Sequence, residues 1–199
     1  MPPSAIPRVR AGRMRPPAAL RGEIESVLIG PDRLHRRIAR LGAELTADYA
    51  GKDVVVVALL SGTLLFLADL IRCLPIPLRV DFLGVSSYRG GIQSGTPRIN
   101  RGLRLDVTGR HVLVLDDILD TGRTLATVTA RLRRLHPASL RTCVLLDKPS
   151  RRLEPVQADY VGFTIPDVFV VGYGLDFDER HRNLPFVGVL KPEASGNPR

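Results

Sequence analysis

The stretch Val112–Leu125, with the sequence VLVLDDILDTGRTL, decides the fold of this 199-residue chain. Four aliphatic residues are followed by two aspartates, two more aliphatic residues and the run Asp120–Thr124, after which a helical pattern begins. A short aliphatic run before a glycine-containing turn and a helix is typical of a buried strand in a parallel sheet. Ligands of open parallel sheets bind beyond the carboxyl ends of the strands. The stretch therefore predicts a ligand site directly after this strand.

The run Asp120–Thr124 has the composition of a phosphate-binding turn. Its backbone N–H groups are expected to converge at a helix N-terminus, where the helix dipole favours an anion. Gly122 lets the main chain approach the ligand closely, and two threonine hydroxyls add donors. Asp116 and Asp117 would repel a phosphate, so we expect them to bind the vicinal hydroxyls of a ribose and a bridging Mg²⁺. The alternative is that these acids only cap the strand and the helix, which does not explain an acidic pair directly after four buried aliphatic residues.

The rest of the chain alternates strand and helix patterns. Strands that alternate with helices predict an α/β fold with a parallel sheet and right-handed crossovers. Order is expected to begin near Glu23. The predicted helices are Pro31–Gly51, Thr63–Cys73 and Gly122–Leu135, and the predicted strands are Val54–Leu60, Leu78–Val85, Val112–Leu115, Leu140–Leu146, Tyr160–Phe163 and Val168–Val171.

Three segments lack a periodic pattern. Residues 1–22 contain five prolines, five arginines and no acid, which predicts a disordered basic extension. Residues 23–190 are predicted to form one domain, and residues 191–199 a flexible tail. The 17-residue stretch Ser86–Gly102 contains four glycines and one proline, which is typical of a functional lid or a disordered loop.

The net charge of +9 raises the question of a nucleic-acid partner. Five of these charges lie in residues 1–22, so we interpret the excess mainly as a solvated tail that could strengthen nonspecific phosphate contacts. No apolar run reaches the ~20 residues of a membrane-spanning helix, and no apolar secretory signal opens the chain. Cys73 and Cys143 stand alone, which indicates free thiols in a reducing cytoplasm.

Asp116–Thr124 resembles the phosphoribosyl diphosphate (PRPP) signature of type I phosphoribosyltransferases, and the chain from about Glu25 to Leu190 resembles their hypoxanthine–guanine branch. Four further motifs occur in the order of that branch: LLSGTLLFLADL (59–70), VDFLGVSSYRGG (80–91), LLDKPSRR (145–152) and VGFTIPDVFVVGYGLDFDERHRNLP (161–185). The resemblance implies a parallel sheet core flanked by helices, with a small hood built from the N- and C-terminal segments. It implies transfer of the phosphoribosyl group from PRPP to N9 of hypoxanthine or guanine, in a homodimer or homotetramer.

The resemblance also implies roles for individual residues. Asp120 would exchange a proton with N7 of the purine, and Lys148 would donate to its O6 and so reject adenine. Phe169 would stack on the base. The implied PRPP and nucleotide site is Asp116, Asp117, Ile118, Leu119, Asp120, Thr121, Gly122, Arg123 and Thr124; the purine site is Lys148, Val168, Phe169 and Val170; the diphosphate site is Ser61, Gly62, Arg152 and Arg182; the lid begins at Ser87 and Tyr88; the Mg²⁺ ligands are Asp116, Asp117 and Asp176.

The chain departs from the family pattern in the diphosphate loop, where Ser61 stands in place of the usual lysine. The Leu60–Ser61 peptide is a candidate for the cis bond of related members. Two other functions stay open: a regulator that binds nucleic acid with the same fold, and a transferase that prefers xanthine or adenine. A broad basic face on the folded domain would favour the regulator, whereas charge confined to the tail would not. Alternative interpretations without a functional role are that Lys148 is a surface lysine and that Asp176 is a turn residue.

Overall fold

The computed structural model describes residues 14–87 and 97–195. Contacts divide the chain into two compact units, a larger one over Ile38–Val168 and a smaller one formed by the segments up to Arg37 and from Phe169 onward. The helices are α1 (Pro31–Tyr49), α2 (Leu64–Ile71) and α3 (Arg123–Arg133), and the strands are β1 (Ile24–Ile29), β2 (Val54–Leu60), β3 (Leu78–Ser87), β4 (Pro97–Arg101), β5 (His111–Leu119), β6 (Ser139–Asp147), β7 (Tyr160–Thr164), β8 (Val170–Val171) and β9 (Val187–Leu190).

The larger unit is built on a six-stranded sheet in the order β4-β3-β2-β5-β6-β7. The five strands from β3 to β7 in that order run parallel, and β4 is antiparallel to β3. The central strands β2 and β5 are buried almost throughout because their aliphatic residues face apolar layers on both sides. On one face, Leu125, Val128 and Leu132 of α3 pack into the core cluster of the sheet. The predicted α/β class, with a parallel core flanked by helices, is confirmed.

The parallel register places three loops at one edge of the larger sheet. Leu119 at the end of β5 pairs with Asp147 at the end of β6, and Ala58 near the end of β2 pairs with Leu115. The segments that follow β2, β5 and β6 therefore emerge side by side. These segments contain most of the residues that the sequence analysis singled out.

The smaller unit is a three-stranded antiparallel sheet in the order β1-β9-β8. Its core includes Ile24, Phe186 and Leu190, against which Met14 and Leu20 pack. The two chain ends thus share one small sheet, as the predicted hood requires. Residues 14–22 are the described part of the extension that was predicted to be disordered, and they include a short 3-10 helix at Ala18–Leu20.

Several element boundaries differ from the prediction. The stretch Ser86–Gly102 is not wholly a loop, because β4 lies within it and pairs with β3. β5 does not end at the acidic pair but continues to Leu119, since its main chain keeps pairing with β6. Tyr88 and most of the predicted lid lie outside the described residues, as do residues 1–13 and 196–199. Within the described parts of the chain, no helix is long and apolar enough to cross a membrane.

Candidate active site

The acidic pair, Asp116 and Asp117, lies near the C-terminal end of β5. Asp116 is buried, and its carboxylate accepts a hydrogen bond from the N–H of Asp117 at 3.1 Å. The carboxylate of Asp117 accepts one from the N–H of Ile118 at 2.8 Å. Burial, together with the neighbouring charge of Asp117, raises the pKa of Asp116 well above its ordinary value. Two vicinal carboxylates in this setting are suited to bind a cation or hydroxyl groups.

The turn between β5 and α3 is shaped by Gly122. This residue has a φ of 87°, in the left-handed region, and caps α3. A Cβ at this position would also lie 2.7 Å from the side chain of Val156. α3 has no side-chain hydrogen bond at its N-cap and no acidic residue in its first turn. The start of α3 therefore has the cap geometry and the residue types of a helix N-terminus that suits an anion.

The loop after β2 packs against the acidic pair. The Leu60–Ser61 peptide is cis, as predicted. A Cβ on Gly62 would collide with the carboxylate of Asp117. The hydroxyl of Thr63 is buried and has no hydrogen-bond partner among the described residues. The main chain of this loop at Gly62 therefore lies against the acidic pair.

Lys148 follows the end of β6 and is only 6% exposed. Its N–H donates to the carbonyl oxygen of Leu119 at 2.9 Å, which joins the end of β6 to the end of β5. Burial lowers the pKa of Lys148, and the charges of Asp120 and Asp167 act in the opposite direction. A buried lysine close to Asp120 does not fit the alternative interpretation of Lys148 as an ordinary surface residue.

The two arginines after Lys148 contact Asp120 in different ways. Arg151 forms ion pairs with the carboxylates of Asp120 at 3.3 Å and Asp167 at 3.8 Å. Arg152 donates to the main-chain oxygens of Leu119, at 3.1 Å, and of Asp120, and it pairs with Asp147. The contacts of Arg151, Asp147 and Asp167 were not predicted, because their residue types and positions give no signal beyond their place in the motif.

The smaller unit holds the remaining predicted residues. Phe169 is 49% exposed, and the ring of Phe177 meets it edge-on with centroids 5.6 Å apart, so Phe169 is not simply a core residue. Val170 is buried in β8. One carboxylate oxygen of Asp176 pairs with Arg182 at 3.0 Å, and the other accepts from the N–H of Glu179 at 3.0 Å. Asp176 and Arg182 are therefore paired with each other within the smaller unit.

Comparison with known proteins places this site in a family. The model of the phosphoribosyl transferase domain matches residues 30–178. The chain belongs to the phosphoribosyltransferase family. It is 44% identical over 179 residues to the hypoxanthine-guanine phosphoribosyltransferase of Streptococcus pneumoniae (strain ATCC BAA-255 / R6), covering 89% of this chain and 99% of that protein. It is likewise 44% identical over 174 residues to the enzyme of that name from Bacillus subtilis (strain 168), covering 87% and 97%.

Solved structures agree with the family assignment. The crystal structure of a hypoxanthine phosphoribosyltransferase from Staphylococcus aureus matches with a TM-score of 0.86 and 42% identity, covering 90% of this chain and 98% of the other. This phosphoribosyltransferase therefore shares the fold of its relatives over nearly their whole length.

The predicted site residues of this phosphoribosyltransferase fall into three sets. The larger unit brings together the acidic pair, the turn with Asp120, the loop with Gly62, and Lys148; Val168 is half-buried at its end. Phe169, Val170, Asp176 and Arg182 belong to the smaller unit. Ser87 is the last described residue of β3, and Tyr88 lies beyond it. No group of three or more His, Cys, Asp or Glu side chains suited to a metal ion occurs within residues 14–87 and 97–195.

Proposed function

We propose that this enzyme transfers the 5-phosphoribosyl group of PRPP to N9 of hypoxanthine or guanine, with release of diphosphate. One observation carries the choice of base: the buried ammonium of Lys148 lies within electrostatic reach of Asp120 at the end of β5. These two groups supply a cationic donor and a carboxylate, which suit the O6 and N7 edge of a 6-oxopurine. The names of the relatives from Streptococcus pneumoniae and Bacillus subtilis support the same substrates.

Base selection follows from the charge of Lys148. An oxo group at C6 accepts a hydrogen bond from the ammonium, whereas the amino group of adenine presents donors to a donor. The ammonium of Lys148 and the amino group of adenine would both lack a hydrogen-bond partner in a buried site, which would strongly disfavour binding of adenine. Asp120 then accepts the proton of N7 or returns it as the bond to N9 forms or breaks. Phe169, with its exposed ring, is proposed to stack on the base.

The acidic pair is proposed to bind the ribose hydroxyls and Mg²⁺. Magnesium is usually held by one or two protein carboxylates together with substrate phosphates, so Asp116 and Asp117 fit it without a complete protein cage. When bound, the ion would neutralise charge on the departing diphosphate. Asp176 is proposed as a further ligand. The proposed 5′-phosphate site is the turn Thr121–Thr124, where Gly122 places no side chain over the start of α3.

Diphosphate is proposed to leave past the loop after β2. The main chain of Gly62 is proposed to supply a donor there, and Ser61 places a neutral side chain where the family usually has a lysine. The transition state should resemble a ribosyl oxocarbenium ion, as in glycoside hydrolysis. Because water would capture such a cation, a lid that includes Ser87 and Tyr88 is proposed to close over it. Assembly into a dimer or tetramer and a cytoplasmic location remain part of this proposal.

The choice of base can be tested with four purines. Purified enzyme is incubated with PRPP, Mg²⁺ and hypoxanthine, guanine, xanthine or adenine, and nucleotide formation is followed by absorbance. We expect turnover with hypoxanthine, guanine or both, and none with adenine. Turnover with adenine alone would contradict the role of Lys148, and a strong preference for xanthine would replace the proposed substrates.

A second role, binding of a nucleic acid, is favoured by one observation. Residues 98–110 and 123–134 contain eight arginines and one aspartate. Five of these arginines are exposed and form no ion pair within the described residues: Arg101, Arg104, Arg131, Arg133 and Arg134. The two segments pack on the same core cluster through Leu105 and Leu132, and α3 contacts β4. The positive charge of the chain is therefore not confined to its N-terminal extension.

Salt dependence tests this second role. Binding of a fluorescent single-stranded oligonucleotide is measured between 50 and 200 mM salt (about the range over which phosphate contacts weaken). Replacing Arg131 and Arg134 by Gln should reduce the slope of log affinity against log salt by about 1.4, or about 0.7 for each contact. The control replaces Arg36 and Arg40 of α1 by Gln, with the same change in net charge. Equal effects of both double variants, or no binding by wild type, would rule the role out.

A further inference from the structure

The side chain of Arg152 is held by residues at the ends of β5 and β6. Its guanidinium donates to the main-chain oxygens of Leu119 and Asp120 and forms an ion pair with the carboxylate of Asp147. Both side chains of this pair are 17% exposed. A guanidinium directed at two main-chain oxygens and one carboxylate is not oriented toward an incoming diphosphate.

The chain that surrounds Arg152 holds the same turn by its backbone. The N–H groups of Leu153 and Glu154 donate to the carbonyl oxygen of Thr121 at 2.9 and 3.0 Å. The N–H of Lys148 donates to the carbonyl oxygen of Leu119. Residues 119–121 are therefore held along their length by residues 147–154, and the guanidinium of Arg152 donates to two main-chain oxygens of this turn.

We propose that Arg152 and Asp147 act together as a positioning pair for catalysis and not as diphosphate ligands. By fixing the main chain at Asp120, Arg152 sets where the carboxylate of Asp120 meets N7 of the purine. Asp147 holds the guanidinium in place. This inference rests on the proposed function, because it depends on the proton transfer assigned to Asp120.

The pair also links the two groups that would read the purine. Asp147 directly precedes Lys148 and lies opposite Leu119 in the register of β5 and β6. One ion pair thereby fixes the distance between the group at N7 and the donor at O6. A displacement of about 1 Å in such a group can cost about 100-fold in rate, so a loss of the pair should lower kcat before it weakens binding.

An open cavity borders the pair. It has a volume of about 680 Å³, and its wall includes Asp147, Arg152, Pro155 and Val156. Because the pair borders open space, neutral variants of either residue do not leave a void enclosed in the core. We expect Arg152→Gln and Asp147→Asn to fold.

The test compares kcat and KM for these variants. We expect Arg152→Gln, Arg152→Lys and Asp147→Asn to lower kcat about 10- to 100-fold, with the KM for PRPP within about 2-fold of wild type. Lysine should not rescue, because an ammonium cannot reach three acceptors in the planar arrangement of a guanidinium. The double variant should be little worse than Arg152→Gln alone, since the two residues act as a unit. The control is Arg79→Gln, which removes a matched but exposed ion pair with Asp53.

Other patterns of kinetics would overturn the proposal. A raised KM for PRPP and weaker binding of diphosphate, with kcat retained, would make Arg152 a diphosphate ligand. A lower melting temperature, with kcat and KM unchanged at a temperature where the variant is folded, would leave it a purely structural role.

A second readout separates this inference from the proposed function. Hydrogen exchange is measured without substrate in wild type and in Arg152→Gln. We expect faster exchange at Leu153, Glu154 and Ala126, whose N–H groups bond to Thr121 and Gly122 in and beside the turn. If wild type shows no turnover, the proposed function fails, but the exchange result still reports whether the positioning pair holds the turn. Unchanged exchange at these amides would reject the positioning role in either case.

Discussion

The main chain of Gly62 lies against the carboxylate of Asp117 with no room for a side chain between them. The loop after β2 is thereby joined to the acidic end of β5. One loop is proposed to bind diphosphate and the other the ribose, so their contact fixes the two halves of PRPP relative to each other.

Gly62→Ala should therefore impair PRPP use strongly. The added methyl group must displace the carboxylate of Asp117, and we expect kcat/KM for PRPP to fall about 100-fold, the cost of a displacement of about 1 Å. Steady-state kinetics measure the change. Gly102→Ala is the matched control, since no atom lies within 4 Å of a Cβ at that position. Wild-type kinetics in Gly62→Ala would mean that the contact has no part in substrate binding.

Lys148→Met should separate stability from base binding. Burial lowers the pKa of Lys148 below 10.5, so the folded state binds fewer protons than the unfolded state between the lowered pKa and 10.5. The free energy of unfolding of wild type should therefore rise with pH across that window, and this increment is lost as pH falls through the lowered pKa. The rise should be absent in Lys148→Met, while the KM for the purine increases. Chemical denaturation at several pH values measures it; identical pH profiles would contradict the burial of the ammonium.

The fold was predictable because its core strands are unusually uniform. Val54–Leu60 and Val112–Leu115 are aliphatic without interruption, which only a strand covered on both faces explains. β1 and β9 gave no such signal, since each is short and gains its stability by pairing with the other end of the chain. β4 was missed for a related reason: its arginines and asparagine are tolerated because it is the edge strand.

Asp81 gives a prediction that concerns stability and not catalysis. Its buried carboxylate accepts hydrogen bonds from the N–H groups of Leu105, Phe82 and Arg104. Burial raises the pKa of Asp81, but these bonds outweigh burial and lower it below the ordinary value. Its contribution to stability is thus present above about pH 4 and is lost as pH falls through the lowered pKa. We expect Asp81→Asn to destabilise the protein by about 2 to 3 kcal/mol at pH 7. Urea denaturation measures the loss, and a variant as stable as wild type would refute the role of these bonds.

Asp120→Asn tests the proposed proton transfer. An amide cannot accept the proton of N7 but occupies the same space, so kcat should fall by about 100-fold or more while PRPP still binds. Single-turnover kinetics and equilibrium binding of PRPP measure the two quantities separately. Equal losses in both would mean that Asp120 only positions the ligand.

The positions of the candidate site residues in the fold were predictable from the sequence, but the contacts of their side chains were not. The motif around Asp120 predicted the turn between β5 and α3, because a strand, a glycine and a helix start leave few other geometries. The partners of Arg152 could not be read from the sequence, since a guanidinium beside a phosphate site suits a ligand as well as a main-chain carbonyl. The pairing of β6 with β5 brings Arg152 to the main-chain oxygens of Leu119 and Asp120, and this contact distinguishes the two roles.

The most direct test of the account is nucleotide formation by the wild-type enzyme. Initial rates are measured with saturating PRPP and Mg²⁺ and with hypoxanthine or guanine, and nucleotide and diphosphate are quantified in the same samples. The account predicts turnover with at least one of these bases and one diphosphate for each nucleotide formed. No nucleotide with either base would contradict it.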